Sequence, residues 1–378
     1  MSEAVDFDVH GVVGVRLLAA GAAEIAAVER QLGPIQGTLE REPDIVIRFA
    51  AELEMGESPR FVGLDALFDE AALYLLRGKH KTRVRVAIPF DAVGGRCEIR
   101  AERGLAAIPL LVAIVNATAL ARGVLPLHAS AFEYRGVGVL TTGWSKGGKT
   151  ESLLGFMERG ARYIGDEWVH LADEGRHMYG LREPVRVWSW HLGDLPRIRA
   201  RLRRSDRLRI GAMAAAAEQL GRLAGRATGR GSPLSRAAAR LEPLVRQQSG
   251  LDRAPAALFG SAALAGSGRP DVVLLVGSHD APDIRVTRID PGEVARRMLH
   301  SLETEREPFL ACYRRFRFAF PDRASESVER AAETQRELLQ KMLEGKPTWS
   351  VDHPYPVSID ALCDAIEPIL EPLRPKGR

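Results

Sequence analysis

The eight residues Gly143-Trp144-Ser145-Lys146-Gly147-Gly148-Lys149-Thr150 fit the pattern G-x-x-x-x-G-K-[ST], whose chemistry is phosphate binding. Glycines let successive backbone N–H groups turn inward around anionic oxygens. In such a loop Lys149 would reach the β and γ phosphates of a nucleotide, and Thr150 would set a hydroxyl on Mg²⁺. Gly143, Ser145, Lys146, Gly147, Gly148, Lys149 and Thr150 are therefore the candidate nucleotide-binding residues. The chain has 53 basic residues, and two of its seven lysines fall inside this loop. A slim ammonium suits a crowded phosphate site better than a guanidinium fork. Lys149 carries that argument; Lys146 could be incidental.

Such a loop works only between a strand and a helix. Val137–Thr142 has the apolar run of a short buried strand, and Lys149–Arg159 has helical spacing with Gly160 as a stop. The helix start would then turn its partial positive charge toward an anion. The alternative is an ordinary glycine-rich turn, which this order of elements disfavours.

Two acids follow. Asp166 and Glu167 end the next strand, Ala161–Gly165, at the edge where a carboxylate can reach Mg²⁺ or an acceptor hydroxyl. One would hold the metal and the other would take the proton; a solvated turn is the bland reading. His128 lies on Leu125–Tyr134, which pairs through the Arg135-Gly136 turn with the strand that feeds the loop. It is either a satisfied core histidine or an active-site residue. Glu151 favours the first helical turn by its charge, with a metal-shell role secondary.

The remaining chain bounds the class. With 378 residues, 46% hydrophobic and 27% charged, it has room for two domains and a sizeable core. A net charge of +4 is no evidence for a nucleic-acid partner. Cys97, Cys312 and Cys363 are too few and scattered for a disulfide framework, which points to a reducing cytoplasm. No secretory signal is visible at the start, and the most apolar run, Ala106–Ala121, is too short to span a bilayer.

The expected fold class is α/β, an α+β mixed sheet, in three parts. Residues 1–104 read as a small α+β domain with strands near Gly11–Leu18, Asp44–Phe49, Thr82–Ile88 and Arg96–Arg100 and helices at Ala22–Leu32 and Leu64–Leu76. Residues 105–300 read as the core, with a helical, arginine-rich elaboration over 192–250 that a Gly/Arg/Ser stretch, Gly221–Ser235, breaks. Residues 301–378 read as helical. Expected helices are Pro291–Glu303, Glu307–Phe316, Ser325–Glu344 and Val357–Leu370, the last capped by Ser358.

The series Leu127-His128-Ala129-Ser130, Gly136–Gly143, Ser145-x-x-Gly148-Lys149-Thr150-Glu151 and Ile164-Gly165-Asp166-Glu167-x-Val169 resembles the catalytic core of the HPr kinase/phosphorylase family. The likeness covers roughly residues 124–172, and more weakly to about 300. It implies a fold similar to phosphoenolpyruvate carboxykinase. It also implies phosphoryl transfer from ATP, with Mg²⁺, to a hydroxyl, typically a serine, of a peptide, protein or small molecule. By this resemblance His128, Lys149, Asp166 and Glu167 would be the catalytic residues, with Thr150, Asp166 and Glu151 near the metal. The chain departs from the family twice. It has Asp-Glu where Asp-Asp is usual, and Arg182-Glu183-Pro184-Val185-Arg186 where a glycine-rich docking segment for HPr is expected. HPr itself is therefore a doubtful acceptor, and a homo-oligomer is left open. Two other readings stay open: a nucleotide-binding sensor or scaffold without catalysis, and a phosphorylase of the same fold.

Overall fold

The computed structural model describes residues 4–77, 83–225 and 233–375. They form a mixed α/β protein with two large sheets and eleven α-helices among the described residues. The first unit holds Val5–Val9 (β1), Val13–Leu18 (β2), Ala22–Leu32 (α1), Ile45–Ala50 (β3), Arg60–Phe61 (β4), Ala66–Phe68 (β5), Leu73–Arg77 (β6), Arg83–Ala87 (β7) and Cys97–Glu102 (β8). Its eight strands run in the order β1-β2-β3-β8-β7-β6-β5-β4.

The expected helix over Leu64–Leu76 is instead the β5–β6 hairpin, with Phe68 opposite Leu73. The buried Asp69 carboxylate decides this. It accepts the Ala71 and Ala72 amides at 2.8 Å each, the Gly56 amide at 2.9 Å and the Tyr74 hydroxyl at 2.9 Å. An aspartate that binds amides two and three residues on favours a turn over a helix. Burial opposes its charge, yet these donors hold the carboxyl down at about 2.

Leu111–Ala121 (α2) then leads to the second sheet. Leu125–Tyr134 (β9) and Val137–Thr142 (β10) form the expected hairpin, with Tyr134 opposite Val137 across Arg135 and Gly136, both at positive φ. Lys149–Glu158 (α3), Arg162–Gly165 (β11), Trp168–Ala172 (β12), His177–Gly180 (β13) and Val185–Trp188 (β14) follow. The basic stretch is helical as Pro196–Arg201 (α4), Arg204–Gly225 (α5) and Pro233–Gln247 (α6); residues 226–232 of the expected break lie outside the described residues. Next come Gly250–Arg253 (β15), Pro255–Phe259 (α7), Ser267–Gly268 (β16), Val272–His279 (β17) and Arg285–Arg288 (β18).

The last part is Pro291–Ala319 (α8), Glu326–Glu329 (α9), Ala331–Leu343 (α10), Thr348–Pro354 (β19) and Ile359–Leu370 (α11). Where two helices were expected, α8 is one helix that carries Pro308 in its interior. Proline there gives up one intrahelical bond. Buried side chains on both sides keep the helix going: Met298 and Leu302 pack in the second unit, Phe309 and Phe316 against the first. The expected Ser325–Glu344 helix breaks at Arg330 into α9 and α10. Ser358 caps α11 by accepting from the Ala361 amide.

The strand β19 was not anticipated. It pairs in parallel with β17, which pairs in parallel with β10, so the sheet order is β16-β13-β12-β9-β10-β17-β19-β18. The helix α2, with Asn116 to Ala119 inside it, packs between the two units, and one shared apolar cluster joins β1–β3, α2 and the far half of α8. Among the described residues no helix is long and apolar enough to cross a membrane.

Candidate active site

The loop after β10 is built on the ends of β17 and β19. Gly143 has φ 149° and backs onto β17; a Cβ there would lie 2.2 Å from the Val276 carbonyl oxygen. Gly148 has φ 101°, and a Cβ there would lie 2.2 Å from Nε2 of His353 on β19. That nitrogen instead donates to the Gly147 carbonyl at 2.9 Å, tying the loop's far side to the sheet. Glycine is required at both positions by conformation and by space.

Gly148 is also the N-cap of α3, and no side chain caps this end. Gly147 N–H turns back to the Trp144 carbonyl at 3.1 Å, while the amides of Lys149 and Thr150 have no backbone acceptor among the described residues. Unpaired first-turn amides are the groups with which a helix start meets an anion, and Trp144, Ser145 and Lys146 beside them form an exposed rim. Lys149 is buried, and its Nζ donates to the carbonyls of Gly143 at 3.2 Å and Trp144 at 3.0 Å. Burial lowers its pKa, against the pull of Glu167, Asp166, Glu305 and Glu151 around it.

The acids meet the loop. Thr150 Oγ1 lies 3.2 Å from both Oδ1 and Oδ2 of Asp166. β11 and β12 are two pieces that both pair with β9, and Asp166 and Glu167 are the break between them. Glu167 sits at φ 66°, a left-handed conformation unusual for a side-chain-bearing residue, and Ala129 N–H binds its carbonyl at 3.1 Å. This twist sends Asp166 inward, 3% exposed, and leaves Glu167 with half its side chain exposed. Burial first, and then the Glu167 charge, push the Asp166 carboxyl up to about 7, against the Thr150 hydroxyl that favours its charged form.

His128, directly opposite Trp168 in the sheet, is bracketed by two carboxylates. Its Nε2 lies 3.1 Å from Glu167 Oε2, and its Nδ1 lies 2.7 Å from Glu305 Oε1. Burial by itself would lower the imidazole pKa, but Glu167 and Glu305 together hold it above its ordinary value. Ser130, two residues on, donates to the Lys149 carbonyl at 2.9 Å and so pins β9 to the start of α3.

Glu151 faces another way. Trp188 N–H donates to Nδ1 of His191 at 3.2 Å, so the other ring nitrogen, Nε2, is the one that donates to Glu151 Oε1 at 3.4 Å. Burial opposes the Glu151 charge, and His191 keeps its pKa below the ordinary value all the same.

Of the candidate residues, Lys149, Thr150, Asp166, Glu167 and His128 converge, with the loop glycines beneath them. Glu151 is engaged by His191 behind the first turn. Ser145 and Lys146 lie on the exposed rim. Glu305 and His353 were missed. Glu305 fell in the gap between two expected helices, and no motif marks it. The Thr, Trp and Val of Thr348–Val351 were a strand signal for β19, which would have brought His353 to the sheet's edge.

A divalent ion of the magnesium kind keeps several waters and takes one or two carboxylates plus phosphate oxygens. The buried Asp166 carboxylate beside the Thr150 hydroxyl fits that demand. Among the described residues no three His, Cys, Asp or Glu side chains form a ready-made metal cage. Comparison with protein-family models and with curated proteins gives no match for this chain.

Proposed function

We propose that this chain is an ATP- and Mg²⁺-dependent phosphotransferase that moves the γ-phosphoryl group to an acceptor hydroxyl, in the manner of the HPr kinase relatives it resembles. The observation that carries the reading is the contact of Thr150 with both oxygens of Asp166, which joins the phosphate loop to the acid edge.

Thr150 and Asp166 are the residues that would hold Mg²⁺, which when bound neutralises charge on the phosphates. The free amides at the start of α3 would take the phosphate oxygens, and Lys149 would leave its two carbonyls to follow the transferring group. Glu167 is the better base of the two acids. Half-exposed and oriented by His128, it can meet an incoming hydroxyl, whereas Asp166 is buried against Thr150. The acceptor oxygen forms its bond to γ-phosphorus, the bond to the β–γ bridging oxygen breaks, and ADP leaves with that electron pair. The hydroxyl proton goes to Glu167.

The test is direct. The purified chain is incubated with γ-labelled ATP, Mg²⁺ and candidate peptide, protein and small-molecule acceptors, beside a Lys149→Ala control. Label transfer in the native chain alone supports the reading; equal transfer by both sinks it.

A further inference from the structure

We propose that the apolar pocket between α2, α8 and α10 receives the body of the phosphoryl acceptor, a small alcohol that carries an apolar chain or ring and one further amide- or hydroxyl-like group. This rests on the phosphotransferase reading of the neighbouring site.

The pocket is narrow, and its lining is mostly apolar. Ala113 and Ala117 of α2 and Phe309 and Leu310 of α8 are among its lining. Three of its four polar lining side chains each leave one atom without a partner: Asn116 Nδ2, Gln335 Oε1 and Arg306 Nε. Asn116 is 6% exposed and Gln335 2%.

The neighbouring His170 orients one of these groups. It is fully buried, and burial drives its pKa down to about 3, so the ring is neutral. Its Nε2 lies 2.8 Å from Asn116 Oδ1 and donates to it. Nδ2 is then the group that Asn116 has left to offer. A wall with an unused amide donor and an unused amide acceptor carries a desolvation cost that a matching ligand removes. An apolar pocket with a few convergent polar groups is the usual form of a small-molecule site.

Its place ties it to the transfer site. Glu305 and Trp168 both line the pocket. Glu305 Oε1 is 2.7 Å from His128 Nδ1, and the Trp168 ring centre is 5.8 Å from that of His128. Glu305 and Trp168 thus belong both to the pocket wall and to the surroundings of His128.

The test uses 6-bromohexan-1-ol, whose bromine quenches any tryptophan it touches. Titrated into the full chain, it should give saturable quenching, lost in Trp168→Phe and weakened about tenfold or more when Ala117→Leu fills the pocket. If Ala117→Leu does not fold, Ala113→Leu fills the pocket from one turn earlier on α2. Quenching that never saturates, or that the filling variants leave unchanged, overturns the proposal. MgATP binding, measured on the same samples, separates the two ideas. Nucleotide binding without the probe removes the pocket alone; probe binding without the nucleotide keeps the pocket and removes its link to phosphoryl transfer.

Discussion

Glu305 Oε1 lies 2.7 Å from His128 Nδ1, while Glu167 Oε2 lies 3.1 Å from the opposite ring nitrogen. One imidazole therefore couples a helix that spans both units to the acid beside the glycine-rich loop. Glu167 stands on a left-handed turn, and the ring's contact helps to aim its carboxylate. His128→Gln should lower kcat for phosphoryl transfer by about a hundredfold, the scale of an acid–base contribution, with KM for ATP little changed. Steady-state transfer assays give both numbers. A kcat within a factor of about two of the native chain would deny His128 the positioning role.

Glu305→Gln removes one of the two charges that raise the His128 pKa. The imidazole should then titrate at lower pH than in the native chain, as followed by the NMR shift of its Cε1 proton. An unmoved titration would mean that the contact with Glu305 does not form in solution.

Lys149→Ala removes a buried ammonium that donates to two loop carbonyls. Transfer should drop by about a thousandfold, the scale of a lost group that stabilises the transition state. The circular-dichroism spectrum should stay native, because the sheet contacts under the loop run through Val276 and His353.

Gly148→Ala places a methyl where His353 Nε2 sits, on a backbone at φ 101°. Both the conformation and the overlap oppose it. A loss of about 2 kcal/mol or more in urea unfolding is expected. Unchanged stability would show that the loop's seat on β19 is looser than described.

His170 sets an acid limit on stability. Its pKa falls from an ordinary 6.5 to about 3 on folding, because burial disfavours the charged ring. Between those values the unfolded chain binds the proton and the folded chain does not. The stabilisation is complete above pH 6.5 and is lost as the pH falls toward 3, by at most about 1.4 kcal/mol per pH unit. His10, whose ring centre lies 6.5 Å from that of His170, is also lowered by burial and adds a change of the same sign. His170→Gln should flatten the fall; a native-like pH profile in that variant would place the acid sensitivity elsewhere.

The strand, loop and helix around Gly143–Thr150 were legible because their signals are local: a short apolar run, glycines and a lysine at fixed spacing, then helical periodicity. The β9–β10 hairpin was legible for the same reason, through Arg135-Gly136, and it placed His128 beside the loop. Leu64–Leu76 misled because its apolar spacing suits a helix or two short strands, and the choice fell to Asp69 binding amides on the turn and a distant Gly56. Pro308 misled in the other direction, since packing at both ends of α8 outweighs one lost backbone bond.

Side-chain types and short-range order thus determined the glycine-rich loop between its strand and helix, the two acids after it and the mixed α/β character of the chain. Tertiary structure alone decided which acid is buried, which glycines rest on Val276 and His353, and that Glu305 stands behind His128. These depend on contacts between segments far apart in the chain. No local pattern encodes such contacts, because they form only when parallel strand pairing and the long helix α8 bring those segments together.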